Sequence, residues 1–365
     1  MSVAEMAQGA ARPLRIVVVV PVCDDWQCAR SLAEDLDREL SALPAVEARL
    51  LLVDDGSRER PEAWPDFAPR ALSCVQVLAL RRNLGHQRAI AVGLCHTEVE
   101  QECDAVLVMD ADGEDRPVDV RRLIDEFRQT SNSVVFAERR KRLESRTFRL
   151  SYLLYRVAHR TLTGVSVRVG NFSIVPLAAL GRLVVMAELW NHYAGAVFRS
   201  RVPYRAVPID RGTRYFGKSK MGGFVPLVLH GIAGIATFYD IVATRLLLLS
   251  LLGLVACGTL LAVVVALRFG TDLAIPGWAT YSAGLLLVLS AQAGSVAFSL
   301  VLSLVATRLG ATFVPARDYR AFVNGVSVLS RAPALGAPAA EREPARASQH
   351  VPLSRDSTRS IRGVG

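Results

Sequence analysis

The sequence predicts an α/β protein, a mostly parallel open sheet followed by two C-terminal transmembrane helices. Three observations carry this. Apolar β-branched runs alternate with helix-patterned segments from Ile16 to Ala137, as crossover units require. The runs, beginning with IVVVVPV at Ile16 to Val22, are continuously apolar, the pattern of strands covered on both faces. Finally, Leu246 to Leu267 and Trp278 to Ala306 carry no charge, and each is long enough to span a bilayer. A hydrophobic content of 51% and a mean hydropathy of +0.29 agree with a membrane-bound chain.

Residues 1–13 read as a disordered leader, and the first apolar run is short and leads into acids, so no signal peptide is expected. Asp24 and Asp25 precede a helix predicted over Gln27 to Leu43, where Leu32, Leu36 and Leu40 recur every fourth residue. Ala48 to Val53 and Cys74 to Leu80 read as strands. A helix from His86 to His96 leads to a central strand, Ala105 to Met109, and Pro117 to Arg128 forms another helix before a strand at Val134 to Ala137. Together they place a catalytic domain at 14–218, with ligands expected at the carboxyl ends of the strands.

Residues 219–244 mix Phe224, Leu227, Ile232 and Ile235 with Gly and His, which suggests helices lying in the membrane interface. The spans occupy 245–307. Their connection, Arg268 to Gly277, carries one Arg and one Asp, whereas Arg205, Arg211, Arg214, Lys218, Lys220 and Arg245 precede them and Arg308, Arg317 and Arg320 follow. Both flanks, and the catalytic domain, are therefore expected on the cytoplasmic side of the inner membrane, with the chain multi-pass. Residues 308–365 read as a basic, largely disordered tail, rich in Ala, Pro, Ser and Arg from Ala332 onward. The six cysteines lack metal-ligand spacing and fit a reducing compartment. A net charge of +9 with basic residues beside the spans suits an anionic membrane surface, and no nucleic-acid motif appears.

Asp110, Asp112 and Glu114 follow the central strand at alternating positions. On an extended segment they would point to one side and converge on a hard cation, Mg²⁺ or Mn²⁺, able to hold a diphosphate. Alone, the cluster also reads as a solvated acidic turn. Asp54-Asp55-Gly56-Ser57 ends the second strand and could orient a carboxylate toward a base or ribose, or could simply be a turn. Arg214, Lys218 and Lys220 flank Gly217 and Ser219 in a basic loop suited to phosphate oxygens, or to lipid headgroups.

With VPVCDD, VDDGS, RNLGHQRAIAVG, VMDADGEDRP and RYFGKSK in this order, the chain from Ile16 to Leu267 resembles the family 2 glycosyltransferases that include dolichyl-phosphate mannose synthase and the bacterial polyprenyl-phosphate glycosyltransferases. The resemblance implies a nucleotide-sugar domain of the glycosyltransferase A type. It places Pro21, Cys23, Asp25, Asp54, Asp55, Asp110 and Ala111 around the donor nucleotide, a UDP- or GDP-linked sugar, and the metal at Asp110, Asp112 and Glu114. Asp112, Arg139, Arg214 and Lys220 are the implied catalytic residues, and polyprenyl phosphate the implied acceptor. Two positions depart from the pattern: His86 stands where relatives often have Lys, and is read as a polar helix-start residue, while Asn171 replaces a usual Asp and puts an acceptor or sugar contact in doubt.

The implied activity is inverting transfer of a sugar to polyprenyl phosphate. The other readings are transfer to another lipid, such as diacylglycerol, and a non-catalytic membrane adaptor that keeps the fold. A processive polysaccharide synthase is not expected, because no Q-x-x-R-W segment follows the acidic motif. Membrane lipids are expected partners, and a homo-oligomer is compatible with the sequence.

Overall fold

A strand covered on both faces must alternate its side chains between two helical layers, and the first strand does so. In the computed structural model, which describes residues 12–43, 45–130, 132–139, 157, 159–164, 169–217, 231–232, 234–271, 277–309 and 313–333, β1 (Leu14–Val22) sends Ile16, Val18 and Val20 into one core and Val17 and Val19 into the other. The first core is completed by Leu32, Leu36 and Leu40 of α1 (Trp26–Ser41) and by Leu123, Ile124 and Phe127 of α3 (Pro117–Gln129). The second is filled by Ala89, Ile90, Val92 and Leu94 of α2 (His86–Glu100). Burial of these aliphatic side chains is the main force holding the layers together.

The remaining strands are β2 (Val46–Asp54), β3 (Leu72–Leu80), β4 (Ala105–Val108), β5 (Val134–Arg139), β6 (Ser173–Pro176), β7 (Tyr204–Ile209) and β8 (Val323–Arg331). Their order is β7-β5-β6-β4-β1-β2-β3-β8. The pairs β1/β2, β1/β4, β2/β3 and β5/β7 are parallel, while β6 and β8 lie antiparallel to their neighbours. The carboxyl ends of β1, β2 and β4 therefore share one edge of the sheet. Two short helices, α4 (Leu177–Leu183) and α5 (Tyr193–Arg199), follow β6.

The structure corrects the predicted boundaries in three places. The stretch after the second span is not wholly a tail, since β8 pairs with β3 from Val323–Leu80 to Arg331–Cys74. Its valines at 323, 326 and 328 gave it strand character that the surrounding Arg- and Ala-rich composition hid. Residues 334–365, like 1–11, lie outside the described residues. The described residues also divide into two units, one holding the sheet and one holding 157, 159–164, 231–232, 234–271 and 277–309, so 157 and 159–164 do not group with the sheet as the range 14–218 implied. Last, the first long helix, α6 (Tyr239–Gly270), already begins inside the range assigned to interfacial helices. Half of that range, 219–230 and 233, lies outside the described residues.

In the second unit, α6 packs against α7 (Trp278–Leu309). Mean hydropathies of 2.6 and 2.1 make them candidate membrane spans. Only 6% of each apolar window is buried within the protein, and Leu248, Leu252, Val255, Leu285 and Phe298 are exposed. So much uncovered apolar side chain suits lipid and would be costly in water.

One buried carboxylate fixes the entry to β3. Asp37, on α1, accepts the backbone N–H groups of Arg70, Ala71 and Leu72 at 2.8–3.0 Å. Asp37→Ala is expected to lower unfolding stability by about 2 kcal/mol, the scale of orphaned donors at a partly buried site. Denaturant unfolding in detergent would measure it.

Candidate active site

The acidic segment is a turn and not an extended strand end. Strand β4 stops at Val108, and Gly113 reverses the chain with φ +87, a conformation that suits glycine. Asp112 Oδ1 accepts the N–H of Glu114 at 3.0 Å, and Asp115 Oδ2 accepts the N–H of Asp110 at 3.0 Å. The period-two geometry that would converge three carboxylates is therefore absent, and among the described residues no three His, Cys, Asp or Glu side chains are grouped to hold a metal ion. Each acid instead faces a cationic partner.

Asp110 Oδ1 lies 3.2 Å from His86 Nε2 at the start of α2. That oxygen is buried and has no hydrogen bond of good geometry. Burial alone would raise the Asp110 pKa, but His86 and Arg139 outweigh it and hold the carboxyl below its ordinary value. Burial likewise works against the charged form of His86, and the Asp110 carboxylate overrides it, raising the ring's pKa. His86 starts α2, as read from the sequence, and it also faces the acidic site. Asn171 Nδ2 lies 3.0 Å from the same His86 nitrogen, and its Oδ1 accepts from Gln87 Nε2 at 3.1 Å. Gln87 in turn accepts the N–H of Tyr193 at 2.8 Å. The amide that replaces the usual acid is built into this network.

Arg214 joins two strand ends. Its Nη1 donates to Asp112 Oδ2 and its Nη2 to Asp25 Oδ2, both at 2.9 Å, while Nε donates to Phe216 O at 2.8 Å. Burial raises the Asp112 pKa, with Asp110 and Glu114 adding to it against Arg214 and the Glu114 N–H. Glu114 pairs with Arg211 and lies 3.6 Å from Arg139. Arg139 donates from Nη2 to Asp115 Oδ1 at 2.8 Å. Asp115, 1% exposed, was not singled out in the sequence, yet it holds both the start of the acidic turn and Arg139. Burial, then the neighbouring Asp110 charge, push its pKa up to about 7.

The other predicted donor-binding residues have structural partners. Asp55 accepts the N–H groups of Leu84 and Gly85 at 2.6 and 3.0 Å, and Asp54 accepts that of Ser57 at 2.9 Å. Both are buried, and these bonds make each carboxylate the pin of a turn. Burial raises the Asp55 pKa against the two amides. Pro21 and Ala111 are buried, and Cys23 Sγ accepts from Asn83 Nδ2 at 3.3 Å. Lys220 lies outside the described residues.

A hard cation fits Asp110 and Asp112 by donor type. Two carboxylates completed by phosphate oxygens are a usual Mg²⁺ set. Glu114 is not grouped with them as a third ligand among the described residues, and its carboxylate turns to Arg211 and Arg139. The site that results is a carboxylate pair flanked by two guanidinium groups at the carboxyl ends of β1, β4 and β5.

The model of the family "Glycosyl transferase family 2" matches residues 17–183. The "Uncharacterized glycosyltransferase YkcC" of Bacillus subtilis (strain 168) is 26% identical over 84% of this chain and 92% of its own length. An "Undecaprenyl-phosphate 4-deoxy-4-formamido-L-arabinose transferase" of Klebsiella pneumoniae (strain 342) is 30% identical over 76% of this chain and 84% of its own. The "Bactoprenol glucosyl transferase" of Shigella phage SfX is 24% identical over 62% and 73%. Among solved structures, glucosyl-3-phosphoglycerate synthase from Mycobacterium tuberculosis aligns at 17% identity over 64% of this chain and 80% of its own, with a TM-score of 0.42.

Proposed function

Because the chain belongs to glycosyl transferase family 2 and to its polyprenyl-phosphate type, we propose that it moves a sugar from a nucleotide-diphospho-sugar to polyprenyl phosphate, with inversion, at the cytoplasmic face of the inner membrane. The observation that carries this reading is that Asp112 pairs with Arg214 while Arg139, held by Asp115 and Glu114, lies near enough to Asp110 to lower its pKa, all at one sheet edge. A diphosphate leaving group and a phosphate nucleophile need both signs of charge in one place. The names of the Klebsiella pneumoniae and phage relatives supply the acceptor class.

Asp110 and Asp112 would hold Mg²⁺ or Mn²⁺, and the cation when bound would neutralise charge on the departing nucleotide diphosphate. The chain's own residues do the rest. Arg214 uses three of its five N–H groups on Phe216, Asp112 and Asp25, which leaves donors for phosphate oxygens. Arg139, fixed by Asp115, aligns the acceptor phosphate, and Lys220 of the basic loop adds a further charge. The acceptor phosphate is already ionised at neutral pH, so no general base is needed and positioning supplies much of the rate. The basic residues flanking two candidate spans support the cytoplasmic orientation.

The donor is tested by calorimetric titration of the full chain in detergent with UDP- and GDP-linked sugars and Mn²⁺. One nucleotide sugar should bind well above the others, and binding should weaken in Asp112→Asn. Equal, metal-independent binding of all donors would remove the reading. Product NMR then checks inversion at the anomeric carbon.

A further inference from the structure

The segment carrying Arg214 is fitted to the acidic turn at two points. Gly212 N donates to Glu114 O, and Tyr215 N donates to Asp112 O, each at 2.9 Å. The approach is close. A Cβ on Gly212 would collide with Gly113 O, and a Cβ on Gly113 would lie 2.7 Å from two ring carbons of Tyr215. Backbone at both glycines is thus in direct contact with the opposing segment, and neither position has room for a side chain.

Tyr215 continues past the turn. Its hydroxyl donates to Asp35 Oδ2 on α1 at 2.7 Å, a short, charge-assisted bond. The strap from residue 210 to 217 is therefore held at the acidic turn by backbone and at α1 by one side chain, with Arg214 between the two anchors. Arg214 needs this, because its guanidinium must meet Asp25 and Asp112 from different strand ends at once.

We propose that Tyr215 and Asp35 form a latch that holds the Arg214-bearing strap on the acidic turn, making both of them positioning residues for Arg214 and Asp112. The kinetic consequence rests on the transfer reaction proposed above; the mechanical one does not. Tyr215 contributes through its hydroxyl as well as its ring, which separates a latch from simple packing.

The test uses the full chain in detergent with Tyr215→Phe, Asp35→Asn and the double variant. Arg38→Gln is the control, since Asp35 Oδ1 also pairs with Arg38 at 2.7 Å. Hydrogen exchange at the Gly212 and Tyr215 amides should rise about tenfold in each single variant, the scale of one charge-assisted bond, with little further rise in the double variant. In transfer assays kcat should fall by about the same factor with acceptor KM unchanged, as expected when orientation and not binding is lost. Arg38→Gln should match the wild type in both measurements. Wild-type exchange in both single variants, losses that multiply in the double variant, or an equal loss in Arg38→Gln would each overturn the latch. If the wild-type chain transfers no sugar, the proposed reaction fails while the exchange data still decide the latch.

Discussion

Replacing Asp112 by Asn is expected to lower sugar transfer by about two to three orders of magnitude, the usual cost of removing one charge-stabilising group from a transition state. The change is nearly isosteric. An amide oxygen can still accept the Glu114 N–H, and Arg214 keeps its bond to Asp25. The fold should therefore survive, with a thermal midpoint within about 3 °C of the wild type. What is lost is one negative charge of the carboxylate pair at the end of β4. Single-turnover transfer with saturating donor measures the effect, and near-normal turnover would remove Asp112 from the catalytic assignment.

Asp115→Ala is expected to lower both stability and transfer. The carboxyl group is almost fully buried, accepts the Asp110 N–H and pairs with Arg139. Its removal orphans a backbone donor and leaves the Arg139 guanidinium without its shortest partner. Arg139 is 35% exposed, so water recovers part of the loss, and the cost should be about 2 kcal/mol instead of the larger figure for a wholly buried pair. Asp115→Asn keeps one acceptor and should recover much of the stability. Activity should remain low in both, because Arg139 is no longer fixed relative to Asp110. Denaturant unfolding and transfer kinetics, compared across the two variants, separate the structural from the positioning effect.

The helix-covered sheet was legible because its strands are continuous β-branched runs and its helices repeat apolar residues at helical spacing. Strands β6, β7 and β8 were not. The four residues of β6 are too few to show a pattern, and β7 is largely exposed and contains Pro208. β8 follows two apolar helices and pairs with a strand far earlier in the chain. At the site, the acids Asp110 and Asp112 and the cations Arg139 and Arg214 could be named from the sequence. Their arrangement could not, because it depends on Gly113 turning the chain and on Arg214 reaching Asp25, 189 residues away. For Asp54 and Asp55 the turn reading and the donor reading both stood open, because sequence does not reveal which backbone amides will fold against a carboxylate. Asp115 was passed over, and His86 was read only as a helix start, for the converse reason, since their surroundings come from Arg139, Asp110 and Asn171 brought near by the sheet.

The most direct test of sugar transfer to a lipid phosphate follows radiolabel from a nucleotide sugar into the organic phase. Purified full-length chain would be mixed with undecaprenyl phosphate in detergent, with Mg²⁺ or Mn²⁺ and again with chelator. The account predicts lipid-linked label from one donor, only with metal, and none with Asp112→Asn. Label that enters diacylglycerol but not undecaprenyl phosphate, or transfer undiminished by chelator, would contradict it.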